Sequence, residues 1–151
     1  DLISALEGVD VVFGCLASNG VDRICLNTTK LLQDCALNGL RYVLIGGAAV
    51  DAENDKKGFM DRFASRMTRL FAGKMVAERQ AELNFLQNSH LNYTFLRPPQ
   101  LVDKPAREAF AFTFDKPAYF RISRRDLAMA MLAAATDDAL KKRAPFVSWL
   151  K

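Results

Sequence analysis

Three short apolar runs, each followed or preceded by a stretch with helical periodicity, restrict what this chain can fold into more than any other feature. They occupy residues 9–16, 41–47 and 92–97 and are rich in Val, Ile, Leu, Phe and Tyr, the composition of strands rather than of exposed loops. Between the first two, a helix is expected over about 22–38, with Ile24, Thr28, Leu31, Leu32, Cys35 and Ala36 recurring at helical spacing. Between the second and third, a long helix is expected over about 60–88. Phe63, Met67, Leu70, Phe71 and Ala77 would form its inner stripe, and its arginines, Glu78 and Glu82 its outer face. Strand and helix in strict alternation mean parallel strands joined by right-handed crossovers. The fold class is therefore α/β with a doubly wound parallel sheet.

The chain opens on a helix end, 2–7, stopped by Gly8, and runs straight into the strand at 9–16. That strand is apolar at nearly every position, as in a parallel sheet covered on both faces, and such a strand needs a neighbour on each side. The sequence is thus expected to begin partway through a fold, with a missing amino-terminal segment or another chain against Val9 to Leu16. Beyond the third strand, Pro98-Pro99 stops the ladder because proline has no N–H to donate. Residues 103–117 read as irregular, 119–122 as a short strand, and Ser123-Arg124-Arg125-Asp126 as a capping box opening a helix over 127–135. A final strand is expected at 145–150. The 151 residues are treated as one domain.

Half of the residues are hydrophobic, enough for a core, and a quarter are charged, close to the globular average. No apolar run approaches the roughly 20 residues needed to span a bilayer. The net charge of +4 gathers at Lys56, Lys57, Arg62, Arg66, Arg69, Lys74 and Arg79 and again at Arg121, Arg124 and Arg125. Aromatic residues do not interleave with these charges, so a solvated helix face and attraction toward a phosphorylated ligand are favoured over nucleic acid. Cys15, Cys25 and Cys35 are odd in number and lack C-x-x-C spacing. They read as reduced core thiols of a cytoplasmic protein, neither a disulfide framework nor a metal site.

In open α/β sheets ligands sit beyond the carboxyl ends of the strands. Three segments meet that condition: Cys15-Leu16-Ala17-Ser18, Gly46-Gly47-Ala48 and Arg97-Pro98-Pro99-Gln100. The polar stretch 48–58 is long enough to act as a lid. His90, in the loop before the third strand, falls at the opposite end of the sheet.

Four segments in order, Ala5-Leu6-Glu7-Gly8-Val9-Asp10-Val11-Val12, Arg41-Tyr42-Val43-Leu44-Ile45-Gly46-Gly47-Ala48, Tyr93-Thr94-Phe95-Leu96-Arg97-Pro98-Pro99 and Ile122-Ser123-Arg124-Arg125-Asp126-Leu127-Ala128, together resemble the second part of an atypical short-chain dehydrogenase/reductase. The branch is the NmrA-like and flavin/biliverdin-reductase-like one, and Lys74 with Glu78 stands where that family carries a Lys and a Glu on its long helix. The resemblance implies the carboxyl-terminal part of a Rossmann domain that binds NADP or NAD and passes hydride to a small flavin-like or quinone-like acceptor. It also implies a catalytic-site role for Lys74 and cofactor contacts from Cys15, Leu16, Ala17, Gly46, Gly47, Ala48, Pro98 and Gln100.

The sequence departs from the family pattern in three places. The Gly-rich phosphate turn is absent, Leu70 stands four residues before Lys74 where many relatives have a catalytic Tyr, and Gly46-Gly47 replaces the customary Ser. Two readings follow: a reductase whose proton comes from solvent, or a non-catalytic dinucleotide-binding regulator or structural subunit. Several residues have plainer explanations. Lys74 would pair with Glu78 one turn on, Arg97 would tie the loop to the sheet, and Phe110, Phe112 and Phe114 would form the packed face of an extended segment, with 103–117 covering the acceptor.

Overall fold

The computed structural model describes residues 2–35, 39–53, 55–56 and 58–150, and among these the side chains of 59–65 and 69 are left aside. Ala36, Asn38, Asn54 and Lys57, and the side chains of Arg62, Phe63 and Arg69, therefore lie outside the described set. The elements run α1 Leu2–Leu6, β1 Val11–Gly14, α2 Ile24–Cys35, β2 Arg41–Ile45, α3 Phe59–Gln87, β3 Asn92–Leu96, β4 Gln100–Val102, β5 Phe110–Thr113, β6 Arg121–Ser123, α4 Arg124–Thr136 and β7 Phe146–Trp149. Gly8 and Gly39 take positive φ, 70° and 96°, where α1 and α2 give way to strands.

Strands β1, β2 and β3 form a parallel sheet in that order, with Val11 beside Arg41 and Arg41 beside Asn92. The far side of β3 is taken up by the tail, through parallel bridges from Thr94 to Arg143 and from Arg97 to Phe146. β7 then pairs antiparallel with β5, and β4 pairs parallel with β6. Alternation along β2 sends Tyr42 and Leu44 to one face and Val43 to the other. On the first face Tyr42, Leu44, Tyr93 and Phe95 pack against Leu32 of α2 and Leu83 and Leu86 of α3. On the second, Val43 and Leu96 meet Leu127, Ala130, Met131 and Ala134 of α4 together with Val147 and Trp149. Helices on both faces of a parallel sheet are the Rossmann-like arrangement, as the sequence pattern implied.

Several expectations are corrected. Cys15 is exposed rather than a core residue; β1 is the edge strand among the described residues, with Phe13, Val9 and Leu16 40%, 37% and 43% exposed, the open side at which the sequence expects a further neighbour. α2 turns Cys25, Leu26, Thr29 and Leu32 inward, leaving Ile24 and Leu31 outside. α3 is rotated in the opposite sense to that expected. Leu70 and Phe71 are 74% and 81% exposed, whereas Glu78 and Glu82 are buried. Carboxylates reach the interior here because both find donors there, so charge alone misleads about the face. Within 103–117, β5 is an ordered strand, and Phe110, Phe112 and Phe114 pack on the second core cluster, as their alternation suggested.

Arg41 and Arg97 are buried at opposite ends of the sheet. Arg41 donates to Asn92, Thr94 and the Ala134 carbonyl, placing its charge at the carboxyl end of α4, where a cation is favoured. Burial lowers its pKa. Arg97 makes a bidentate pair with Asp55, both bonds 2.7 Å, and its plane lies 3.8 Å from the Phe146 ring. This is the loop tie expected of Arg97. It makes the start of 48–58 a fixed wall, with Val50 1% exposed, rather than a free lid.

Candidate active site

β2 ends where Gly46 donates to the Leu96 carbonyl at 2.7 Å, and Ala48 donates to the Pro98 carbonyl at 2.9 Å. These bonds carry the β2–β3 register past the strands proper and hold 46–50 beside 97–100. The two glycines of the turn differ. A Cβ on Gly46 would lie 2.0 Å from the Phe95 ring, so that glycine is demanded by packing; a Cβ on Gly47 would meet nothing within 4 Å. Gly47 therefore faces open space.

That space is a cavity of about 540 Å³ at the carboxyl ends of β2 and β3. One wall is Gly46 to Val50, a second Pro98, Pro99 and Gln100, and a third is α3 through Thr68, Ala72, Met75, Val76 and Arg79. Those α3 positions are three or four apart and so share a helix face. Ala72 interrupts the helix with φ −129° and ψ 32°, where α3 changes direction along the cavity. Pro117, Phe120 and Phe146 complete the lining. The volume is of the size that small ligands and cofactor head groups occupy.

Arg79 is the cationic residue among the described lining residues and is not one of the site residues expected from the sequence. Its guanidinium donates to Glu82 Oε2 at 2.6 Å and to the Leu16 carbonyl at 2.5 Å. Glu82 also accepts from Thr29 at 2.7 Å, and Thr29 lies 3.2 Å from the Tyr42 hydroxyl. Because the single hydroxyl hydrogen of Thr29 goes to the carboxylate, the phenol is the donor in the second bond. Burial pushes the Tyr42 phenol up to about 12, keeping it protonated for that role. The signal for Arg79 is the seam Ala72, Val76, Leu83 and Leu86, whose period includes position 79.

Glu78, one position earlier, accepts the backbone N–H groups of Cys25 and Leu26 at 2.8 and 3.4 Å. It thus caps α2 from α3. Burial pushes its carboxyl up, but the Ser18 hydroxyl, the two amide donors and Arg79 outweigh it, and the group stays below the ordinary carboxylate range. Cys25, beside it, is pushed up to about 11 by burial and is an inert thiol.

Of the expected site residues, Gly46, Gly47, Ala48, Pro98 and Gln100 line the cavity together. Cys15, Leu16 and Ala17 do not; they lie exposed after β1, and Leu16 reaches the site only through its carbonyl on Arg79. Lys74 is exposed and outside the lining, its backbone against Gly20, where a Cβ would come within 2.2 Å. Of 103–117 only Pro117 reaches the cavity. His90 is exposed at the other end of the strands.

A doubly wound sheet with its cavity at the carboxyl ends of the strands defines a nucleotide-binding class of α/β protein. The sequence profile of the NAD(P)H-binding family matches residues 1–138, and the chain belongs to that family. No curated protein matches it in sequence. Among solved structures it is similar to ChuY, an anaerobilin reductase from Escherichia coli O157:H7, at 18% identity and TM-score 0.70, covering 92% of this chain and 63% of that one. It is also similar to a short-chain dehydrogenase/reductase from Veillonella parvula DSM 2008 in complex with NADP, at 22% identity and TM-score 0.71, covering 97% and 66%. A candidate NADH-flavin reductase from Streptococcus pneumoniae TIGR4 has 16% identity and TM-score 0.75, covering 97% and 75%. These are likenesses of fold, and the chain spans less than two thirds of the length of the first two. Among the described residues no helix is long and apolar enough to cross a membrane.

Proposed function

We propose that this chain is the carboxyl-terminal part of an NAD(P)-dependent reductase domain, and that the cavity takes the nicotinamide end of the dinucleotide together with a planar acceptor. The observation that carries this reading is the opening beside Gly47, flanked by Pro98 and Gln100 at the carboxyl ends of two parallel strands. A side chain at 47 would fill the cradle that a flat ring needs, so the residues present fit the group. Gly47, Ala48, Pro98 and Gln100 would hold the ring, and the backbone of Cys15, Leu16 and Ala17 would border its path. Lys74, exposed next to the segment after β1, would meet the ribose. Bound there, the reduced nicotinamide supplies a hydride equivalent to the acceptor.

The chain's own residues position and exclude water: Met75, Val76, Pro98 and Phe120 make the walls apolar. Among the described residues lining the cavity none is an acid or base that titrates near neutrality, so solvent is assigned as the source of the proton. Two fold relatives, an anaerobilin reductase and a candidate NADH-flavin reductase, support a conjugated acceptor of flavin or bilin type. The same reading assigns a further parallel strand, from a preceding segment or another chain, to the open edge of β1. It places the protein in the cytoplasm, in keeping with three unpaired cysteines.

Calorimetric titration with NADPH and NADH tests this. The 151-residue chain alone should bind poorly, having no Gly-rich phosphate turn, and the protein with its phosphate-binding segment should bind well; tight binding by the short chain would refute the assignment. The absence of a titratable donor in the lining supports a second reading, a regulator or structural subunit that binds dinucleotide without turnover. Oxidation of NADPH with menadione or flavin mononucleotide above background would dispose of it.

A further inference from the structure

We propose that Arg79 selects the acceptor, by binding an oxygen that carries negative charge or gains it when hydride arrives; this rests on the reductase reading above. A guanidinium has five N–H donors, Glu82 and the Leu16 carbonyl each take one of them, and the side chain belongs to the cavity lining. Those two bonds also fix its orientation. The side chain is only 12% exposed, and Glu82 is 1% exposed, so the donors are held in a low-dielectric surrounding without having to be ordered on binding. Among the described lining residues the remaining walls offer Gly, Ala, Val, Pro, Met and Phe, with Thr68 and Gln100 as the other polar side chains and Arg79 as the one cation. One fixed cation in a mostly apolar pocket matches a flat conjugated molecule with an anionic or carbonyl oxygen at one end.

The same placement serves the reaction. When the hydrogen and both electrons of the broken C–H bond add to an electrophilic atom of the acceptor, the conjugated electrons move to the oxygen at its far end. That oxygen becomes negative beside Arg79, and water later supplies the proton that neutralises it. Glu82 balances the charge of Arg79 in the resting site, so the cation is not left buried without a counter-charge before the acceptor comes.

Cinnamate and cinnamamide, which share a shape and differ in charge, test the assignment by calorimetry. The protein should bind cinnamate about tenfold to a hundredfold more tightly, the range for a charge-assisted bond. Arg79→Met should abolish the preference, lowering cinnamate affinity far more than cinnamamide affinity, and Arg79→Lys should retain part of it. Equal affinity for the two probes in the unmodified protein, or a preference that survives in a folded Arg79→Met, overturns the proposal. If Arg79→Met does not fold, the unmodified protein and Arg79→Lys decide. In the protein with its phosphate-binding segment, NADPH binding without a cinnamate preference sinks this proposal and spares the cofactor reading, and a cinnamate preference without NADPH binding does the reverse.

Discussion

Two helices of this molecule begin in different ways. α4 is started by its own neighbours: Ser123 accepts from the Asp126 N–H at 3.0 Å and donates to the Asp126 carboxylate at 2.6 Å. α2 is started by Glu78, a side chain 53 positions further on, which accepts from Cys25 N–H. The first start needs only a four-residue box and is visible in the sequence. The second exists only after α3 has docked, and no local pattern announces it. A start made by local residues can form early; one made by a distant carboxylate ties helix formation to tertiary assembly.

Asp126 goes beyond its own box, and removing it should give the largest effect. It also accepts from the Trp149 indole at 2.6 Å and from the backbone N–H groups of Arg107 and Glu108, each at 3.0 Å. Asp126→Ala should cost about 4 kcal/mol, because several buried donors lose their partner at once, and thermal melting would read it as a fall of about 10 °C. The folded carboxyl lies at about 2 against an ordinary 3.8: burial raises it, but the Ser123, Trp149, Arg107 and Glu108 bonds win. Its folded value is depressed, so its contribution is complete above pH 3.8 and is lost as pH falls toward about 2. Asp126→Asn should flatten that limb of the stability curve.

The glycine pair repeats the contrast. Gly46→Ala, blocked by the Phe95 ring, should destabilise by about 3 kcal/mol, whereas Gly47→Ala should leave stability within about 0.5 kcal/mol and weaken dinucleotide binding instead. Equal melting temperatures for the two would erase the distinction. Glu78→Ala should cost about 2 kcal/mol and Glu78→Gln about half as much, since the amide oxygen still accepts without the charge. Hydrogen exchange would sharpen this, with the first turn of α2 losing protection while α4 keeps its own. Ser123→Ala should cost less than Glu78→Ala, about 1 kcal/mol, with the exchange pattern reversed.

The same division explains what could be read from the chain. The alternation of strand and helix, the rim of the sheet and the capping box are set by neighbours a few residues apart, and these appear in the structure where expected. Gly46, Gly47, Ala48, Pro98 and Gln100 were found because a strand's carboxyl end is a local property. Arg79 was not, because the face α3 buries is decided by Thr29, the Cys25 N–H and the Leu16 carbonyl, which supply its carboxylates and its arginine with partners. The glutamates then moved inside, and Leu70 and Phe71 moved out. Lys74 was placed by the resemblance, which gave its position in the chain but not its surroundings.

Arg97 gathers Val50, Asp55 and the Ala144 carbonyl around one buried guanidinium. Since a ribosome delivers residues in order, Val50 and Asp55 are available to Arg97 before residue 144 is, and the cavity wall they share acquires its final shape only after position 144 has been added. A nascent chain halted just before position 144 would carry a cation already shielded from water on one side and short of an acceptor on the other. The cavity wall, although built mostly from residues 46–120, is completed by residues 144–146.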